Sequence, residues 1–416
     1  MSNIDRRKFL KVSATALGVS LVPGVLLGAE GAVAADFPAA GVNTTKLAVT
    51  DKTVKVGILH SATGTMAISE TGSIQAEKLA IAQINAMGGV LGRTIEIIQE
   101  DGASDWPTFA EKSRKLLVND RVATVFGCWT SASRKAALPV FEKENGLLFY
   151  PTFYEGLEQS KNVFYTGQEA TQQILAGLDW VAKEKKAKTF YLIGSDYIWP
   201  RTSMKIARKH IERNLSGSVV GEEYIALGDT QFGSVINKIK LKKPDVIYAA
   251  VVGGSNVAWF KQLKAAGITS KTQTLLTISV TEDEVLGIGG ENLDGFYSAM
   301  KYFQSLKNPN NEKFVSEFKK MWGAKAVIGD VSQAAYLGPW LWKAGVEKAG
   351  SFDVDKVAAA LPGYEMNTAP EGYVKVDPNH HLWSKLRIGR WRTDGQADVV
   401  YESGLIKPDP FPKGYQ

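Results

Sequence analysis

Short apolar runs alternate with amphipathic stretches along most of the chain. Residues 54–59, Val-Lys-Val-Gly-Ile-Leu, read as a strand; a Gly/Ser/Thr loop follows, and residues 71–87 carry the spacing of a helix. The unit recurs as strand 94–99 with helix 107–119, strand 122–127 with helix 131–144, and strand 147–150. A second series opens with helix 172–185. It continues through strand 189–193, a helix after Pro200, strand 219–225, a helix from Phe232, strand 245–252, helix 256–266 and strand 274–279. Apolar runs of this length suit strands buried on both faces. Alternation of this kind predicts an α/β fold of parallel sheets wrapped by helices.

With 416 residues the chain exceeds what one core accommodates, so the two series predict two lobes, each with its own sheet. Hydrophobic residues at 44% and charged residues at 22%, spread without blocks, belong to a globular chain rather than a disordered one. In open parallel sheets ligands bind beyond the carboxyl ends of the strands. Polar and aromatic residues gather in those loops: 61–66, 128–131, 150–154, 194–197, 253–256 and 279–284.

The front of the chain reads as an address. Asp5-Arg6-Arg7-Lys8-Phe9-Leu10-Lys11 precedes an apolar stretch over 12–27, interrupted by Pro23, and then Ala32-Val33-Ala34, the pattern of a twin-arginine export signal cut after Ala34. No cysteine lies near that cut to carry a lipid, so a periplasmic, unanchored product is expected. The formal charge of +6 includes +2 from residues 1–34, where Arg6, Arg7, Lys8 and Lys11 oppose Asp5 and Glu30, so the remainder carries +4. That small surplus contains no basic cluster, which argues against a nucleic-acid partner. Cys128 is the only cysteine; it excludes an internal disulfide and a Cys-based metal centre, and its place after an apolar run predicts a buried, inert thiol.

Two blocks, Gly127-Cys128-Trp129-Thr130-Ser131-Ala132-Ser133-Arg134-Lys135-Ala136 and Phe149-Tyr150-Pro151-Thr152-Phe153-Tyr154-Glu155-Gly156, resemble the urea-binding proteins of ABC-type urea transporters and the related short-chain amide-binding proteins. Gly194-Ser195-Asp196-Tyr197, the run 261–267, Ala369-Pro370-Glu371-Gly372 and Asn379-His380-His381 are similar to the same family, while 168–172 and 277–284 depart from its pattern. The resemblance implies a type I periplasmic binding protein: two Rossmann-like lobes with the ligand in the cleft between them. It places the N-terminal lobe at 54–167 plus 300–362 and the C-terminal lobe at 168–299 plus 363–416, after a lead-in over 35–53. It further implies ligand contacts at Trp129, Thr130, Ser131, Tyr150, Thr152, Tyr154 and, across the cleft, Tyr197; the loops at Gly254, Ser279 and Glu284 complete the expected site. The implied partners are urea or a small amide and the permease subunits of an ABC transporter, met by peripheral contact with the membrane complex.

These residue types suit an amide. Urea offers one carbonyl acceptor and four N–H donors in a plane, and hydroxyls can both donate and accept. Thr130, Ser131, Thr152 and the phenols of Tyr150 and Tyr197 can meet those atoms while Trp129 and Tyr154 exclude water. Glu282 and Glu284 are either amide acceptors or exposed carboxylates at a helix start. No nucleophile elbow, P-loop or His-Glu-x-x-His motif occurs, so no enzyme and no cofactor are expected. The adjacent His380 and His381 are expected at the surface or in packing. Asp101, Asp105 and Asp330 are the candidates for a calcium ion, but their spacing fits no known loop. A branched-chain amino-acid binder is the alternative on the same fold; a Cys128 amidase and an amide sensor are further ones.

Overall fold

Residues 37–416 are described by a computed structural model; the export-signal pattern and the cut after Ala34 lie outside them. Fourteen strands among the described residues fall into two sheets. The first contains β1 (Thr53–His60), β2 (Thr94–Asp101), β3 (Val125–Gly127), β4 (Leu148–Tyr150) and β5 (Val163–Tyr165), all parallel, in the order β2-β1-β3-β4-β5. The second has a parallel part of β6 (Thr189–Ser195), β7 (Ser218–Ile225), β8 (Val246–Ala250), β9 (Thr274–Thr277) and β10 (Tyr297–Met300), ordered β7-β6-β8-β9-β10. An antiparallel part not foreseen in the sequence follows: β11 (Glu365–Ala369), β12 (Gly372–Val376), β13 (Leu382–Trp391) and β14 (Ala397–Ile406), with β13 joined to β10.

Among the described residues the α-helices of seven or more residues are α1 (Ala67–Ala86), α2 (Trp106–Arg114), α3 (Ser131–Lys143), α4 (Ala176–Lys185), α5 (Ile198–Arg213), α6 (Gly233–Lys242), α7 (Ser255–Ala265), α8 (Glu282–Ile288), α9 (Pro309–Trp322), α10 (Asp330–Ala349) and α11 (Val354–Ala360). Several starts follow from local chemistry. Asp105 caps α2 through Thr108 N with a proline in the first turn, Thr130 caps α3 through Ser133 N, and Asn308 precedes Pro309 at the start of α9. The central strand β1 is tightly enclosed, since a methyl group at Gly57 would lie 3.0 Å from Leu116 Cδ1 and 3.1 Å from Val125 Cγ2.

After β10 the chain returns to the first sheet, where α10 packs against α1, β3 and β4. One apolar cluster lies there, joining Val56, Ile58, Phe126 and Phe149 to Leu337 and Trp342. A larger one runs without a break from Leu59, Trp129 and Tyr150 of the first lobe to Trp199, Tyr248 and Leu276 of the second. The lobes are thus apposed at the carboxyl ends of their strands. The turn between β12 and β13 also reaches the first sheet, where Tyr165 N donates to His380 O at 2.9 Å. Here His380 stacks on Phe164 and His381 on Tyr165, centroids 4.2 and 4.3 Å apart, on opposite faces of β5.

Candidate functional site

The first-lobe wall is built on the turns after β3 and β4. Thr130 is spent on its cap and on Ser133, while Ser131 Oγ donates to Glu155 Oε2 at 2.6 Å. Behind them Arg134, fully buried, donates through Nε to Glu158 Oε1 at 2.7 Å and lies over the rings of Tyr150 and Tyr154 at 4.5 and 4.6 Å. Burial opposes the charge on Glu158, but Arg134 and Lys135 overcome it and bring its carboxyl down to about 2. The Tyr150 hydroxyl donates to Trp129 O at 2.7 Å; that of Tyr154 donates to Glu158 O at 3.0 Å and meets His381 Nε2 at 2.5 Å. Tyr154 therefore turns toward β5 and the β12–β13 turn. By contrast, Trp129 Nε1 and Thr152 Oγ1 are buried and have no hydrogen-bond partner.

The second-lobe wall faces them. The Tyr197 hydroxyl is also buried without a partner, and burial, then the Tyr150 phenol and the Glu155 carboxylate, push its pKa well up against the opposing Arg134. Its ring lies 6.1 Å from Trp106 of α2, and Trp199 lies 5.4 Å from Phe153, which meets the edge of Trp129 at 5.7 Å. Aromatic rings from both lobes therefore meet between these walls, and Trp199 Nε1 is buried and unpaired there as well. Gly254 N donates across the cleft to Thr65 O at 3.1 Å, and Gly253, at φ 62, comes so close that a methyl group would lie 2.9 Å from Met66 Sδ. Ser279 Oγ donates to Val251 O at 2.6 Å, bracing two loops of its own lobe.

Glu282 and Glu284 correct the expectation of exposed helix-start carboxylates, since both are buried. Glu284 accepts from Thr281 N at 2.8 Å in a capping box, and Glu282 accepts from Gln304 N at 2.8 Å. Burial raises both carboxyls. Asp283 reaches the first lobe, accepting from Gly329 N at 3.1 Å and Ser332 Oγ at 2.7 Å at the start of α10.

A further group was not identified in the sequence. His60, at the end of β1, lies between two carboxylates of α1, with Nδ1 3.4 Å from Glu70 Oε2 and Nε2 2.9 Å from Glu77 Oε1, all three buried. Burial favours neutral imidazole, but the Coulombic pull of Glu77, its hydrogen bond and the nearby Glu70 carboxylate outweigh it and raise His60 to about 10. The signal was present: Glu70, Ser73 and Glu77 recur at helical spacing on one face of α1. Arg134 and Glu155 stood inside the quoted blocks without a role.

Cys128 is buried and its thiol is pushed up to about 12, first by burial and then by Glu70. Asp101 accepts from Ala62 N and Thr63 Oγ1, Asp105 caps α2, and Asp330 accepts from Lys301 N and Tyr302 N, so the three calcium candidates are each engaged in bracing a loop or capping a helix. Among the described residues no group of three or more His, Cys, Asp or Glu is arranged to hold a metal ion.

Residues 54–416 match the family model described as periplasmic binding protein domain. The chain is 27% identical over 356 residues to the leucine-, isoleucine-, valine-, threonine- and alanine-binding protein of Pseudomonas aeruginosa, covering 84% of this chain and 92% of that one. Its fold is similar to an ABC-transporter solute-binding protein of Rhodopseudomonas palustris HaA2 in complex with p-hydroxybenzoic acid (TM-score 0.78, 24% identity, 88% of this chain and 100% of that one). It is likewise similar to a branched-chain amino-acid binding protein of Streptococcus pneumoniae in complex with isoleucine (TM-score 0.74, 21% identity, 86% and 100%). At these identities the structural likeness speaks for the fold alone.

Proposed function

Because the chain belongs to the periplasmic binding protein family, with the type I two-lobed fold of ABC-transporter solute-binding proteins, we propose that its solute is urea or a short amide enclosed as the lobes close. The observation that supports this reading is that Trp129 Nε1, Thr152 Oγ1 and Tyr197 OH are buried and unpaired on turns at the carboxyl ends of the strands, where aromatic rings of both lobes meet. Leaving such groups without partners costs about 1–3 kcal/mol each, which a solute with matching donors and acceptors recovers. Discrimination then follows from the same atoms, because a solute lacking a partner leaves them stranded.

The charge on the wall favours an uncharged solute. Arg134 is held by Glu158 and Ser131 beneath two tyrosine rings, with its unpaired Nη2 3.6 Å from Glu155, so a solute carboxylate would meet the negative charge of Glu155 and Glu158 beside that cation. Branched-chain amino-acid binding, the activity named for the Pseudomonas relative, is the second reading, favoured by that relationship. Binding without turnover fits Cys128, a buried thiol held protonated with no base bonded to it. Export by the twin-arginine route and delivery to a permease for nitrogen uptake complete the proposal.

A thermal-shift series on the chain lacking residues 1–34, with urea, acetamide, formamide, leucine and p-hydroxybenzoate, tests it. Urea or an amide is expected to raise the melting temperature and the other two are not. Stabilisation by leucine alone would replace the first reading with the second.

A further inference from the structure

The first turns of α1 form part of the lobe interface. Thr65 O accepts from Gly254 N, and a methyl group at Gly287 of α8 would lie 2.6 Å from Ile68 Cδ1. Glu70 stands in this segment, 1% exposed. One of its oxygens is held firmly: Oε2 accepts from Ser61 N at 2.6 Å and lies 3.4 Å from His60 Nδ1. The other, Oε1, is buried and has no partner. His60 is fixed in turn from its far side by Glu77, about two helical turns along α1 from Glu70.

An ionised carboxylate only accepts hydrogen bonds, and a buried oxygen without a donor is costly. β1 pairs with β3 with Leu59 beside Gly127, so the Ser61 turn that holds Glu70 opens next to the Cys128–Ser131 turn of the first-lobe wall. The hydroxyls there can donate to a carbonyl, whereas a planar diamide also brings several N–H groups that require acceptors.

We infer that Glu70 is a solute-binding residue, its free Oε1 accepting an N–H of the bound solute while Ser61 N and His60 hold the carboxylate in place. This rests on the proposed reading of the cleft as an amide site and adds its N–H acceptor. His60 is a positioning residue and does not touch the solute.

The test is titration calorimetry of urea into the wild type, Glu70→Gln and Glu70→Asp, with a thermal melt of each unliganded protein. Glu70→Gln keeps the shape but offers the solute an amide of its own, and is expected to weaken urea at least tenfold in a folded protein whose unliganded melt is lowered by the loss of one carboxylate beside His60. Glu70→Asp keeps the charge toward His60 and withdraws the oxygen, and is expected to weaken urea as well. It carries the test if the glutamine variant does not fold. Urea binding at wild-type strength by a folded variant overturns the inference. If the wild type ignores urea and the amides but binds leucine, the amide reading falls; the role of Glu70 then stands if Glu70→Gln weakens leucine and falls if it does not. Binding of p-hydroxybenzoate alone, a solute without N–H groups, overturns both.

Discussion

The Tyr197 hydroxyl is buried and unpaired at the edge of the second lobe, so removing it tests whether it waits for a solute or is only a packing defect. Tyr197→Phe is expected to weaken urea about tenfold, the loss of one hydrogen bond of about 1–1.5 kcal/mol, and to leave the unliganded melt unchanged or slightly higher. Calorimetry and a melt on the same sample check both halves; unchanged affinity removes Tyr197 from the site. At this scale the sequence was informative but incomplete. The loops that hold Trp129, Thr152 and Tyr197 could be marked because loops after parallel strands collect polar and aromatic groups, whereas these residues as solute contacts came from the family resemblance. Tyr154 has the same loop position, yet its hydroxyl is spent on Glu158 O and His381, a pairing set by a turn more than 200 residues away. Glu70, the N–H acceptor we infer, drew no notice in the sequence because a carboxylate in the first turn of a helix usually needs no more than the helix dipole to explain it.

Between elements, the closest lobe contact is α8 against α1 and the start of α10. A methyl group at Gly72 would lie 2.4 Å from both Asp283 Oδ1 and Ser332 Oγ, so Gly72→Ala is expected to hold the lobes apart. Small-angle scattering should then show no compaction on adding urea, with affinity reduced in parallel; compaction equal to the wild type contradicts this. Burial, reinforced by Glu284, raises Asp283 to about 8 from its ordinary 3.8. The folded chain therefore binds more protons than the unfolded one between those values, and stability falls as pH rises from about 4 to about 8. Asp283→Asn is expected to flatten melting temperature against pH over that window. A further loss toward pH 10 should remain, because His60, raised to about 10, contributes fully below about 6.5 and loses its contribution as pH rises through about 10. An unchanged slope in the variant would contradict the assignment.

Parallel strands were legible because burial on both faces leaves an apolar run, as in β8, where all five residues are buried. Strands β11 to β14 were not. β14 is an edge strand with Val400, Tyr401 and Leu405 exposed, and β13 buries the polar Ser384 and Arg387 among its apolar residues, so neither presents a clean run. Helix α1 begins at Ala67, four residues before the expected start, because no capping side chain marks its entry. The helix is instead anchored by Thr65 and Met66 meeting the other lobe.

At the scale of the whole chain, two sheets face each other across a cleft roofed by aromatic rings, and α10 returns from the second sheet to support the first. Repeated strand–helix alternation was enough to anticipate two lobes, whereas the helices of 309–360 and the antiparallel extension depend on long-range packing that local pattern does not encode. Titration calorimetry of urea into residues 35–416 tests the central claim most directly. A solute of four heavy atoms, at a ceiling of about −1.5 kcal/mol per atom, reaches about −6 kcal/mol, so a dissociation constant of tens of micromolar is the tightest expected. Saturable heat with a micromolar constant is the predicted result; no heat with urea, alongside tight binding of leucine, would contradict the account.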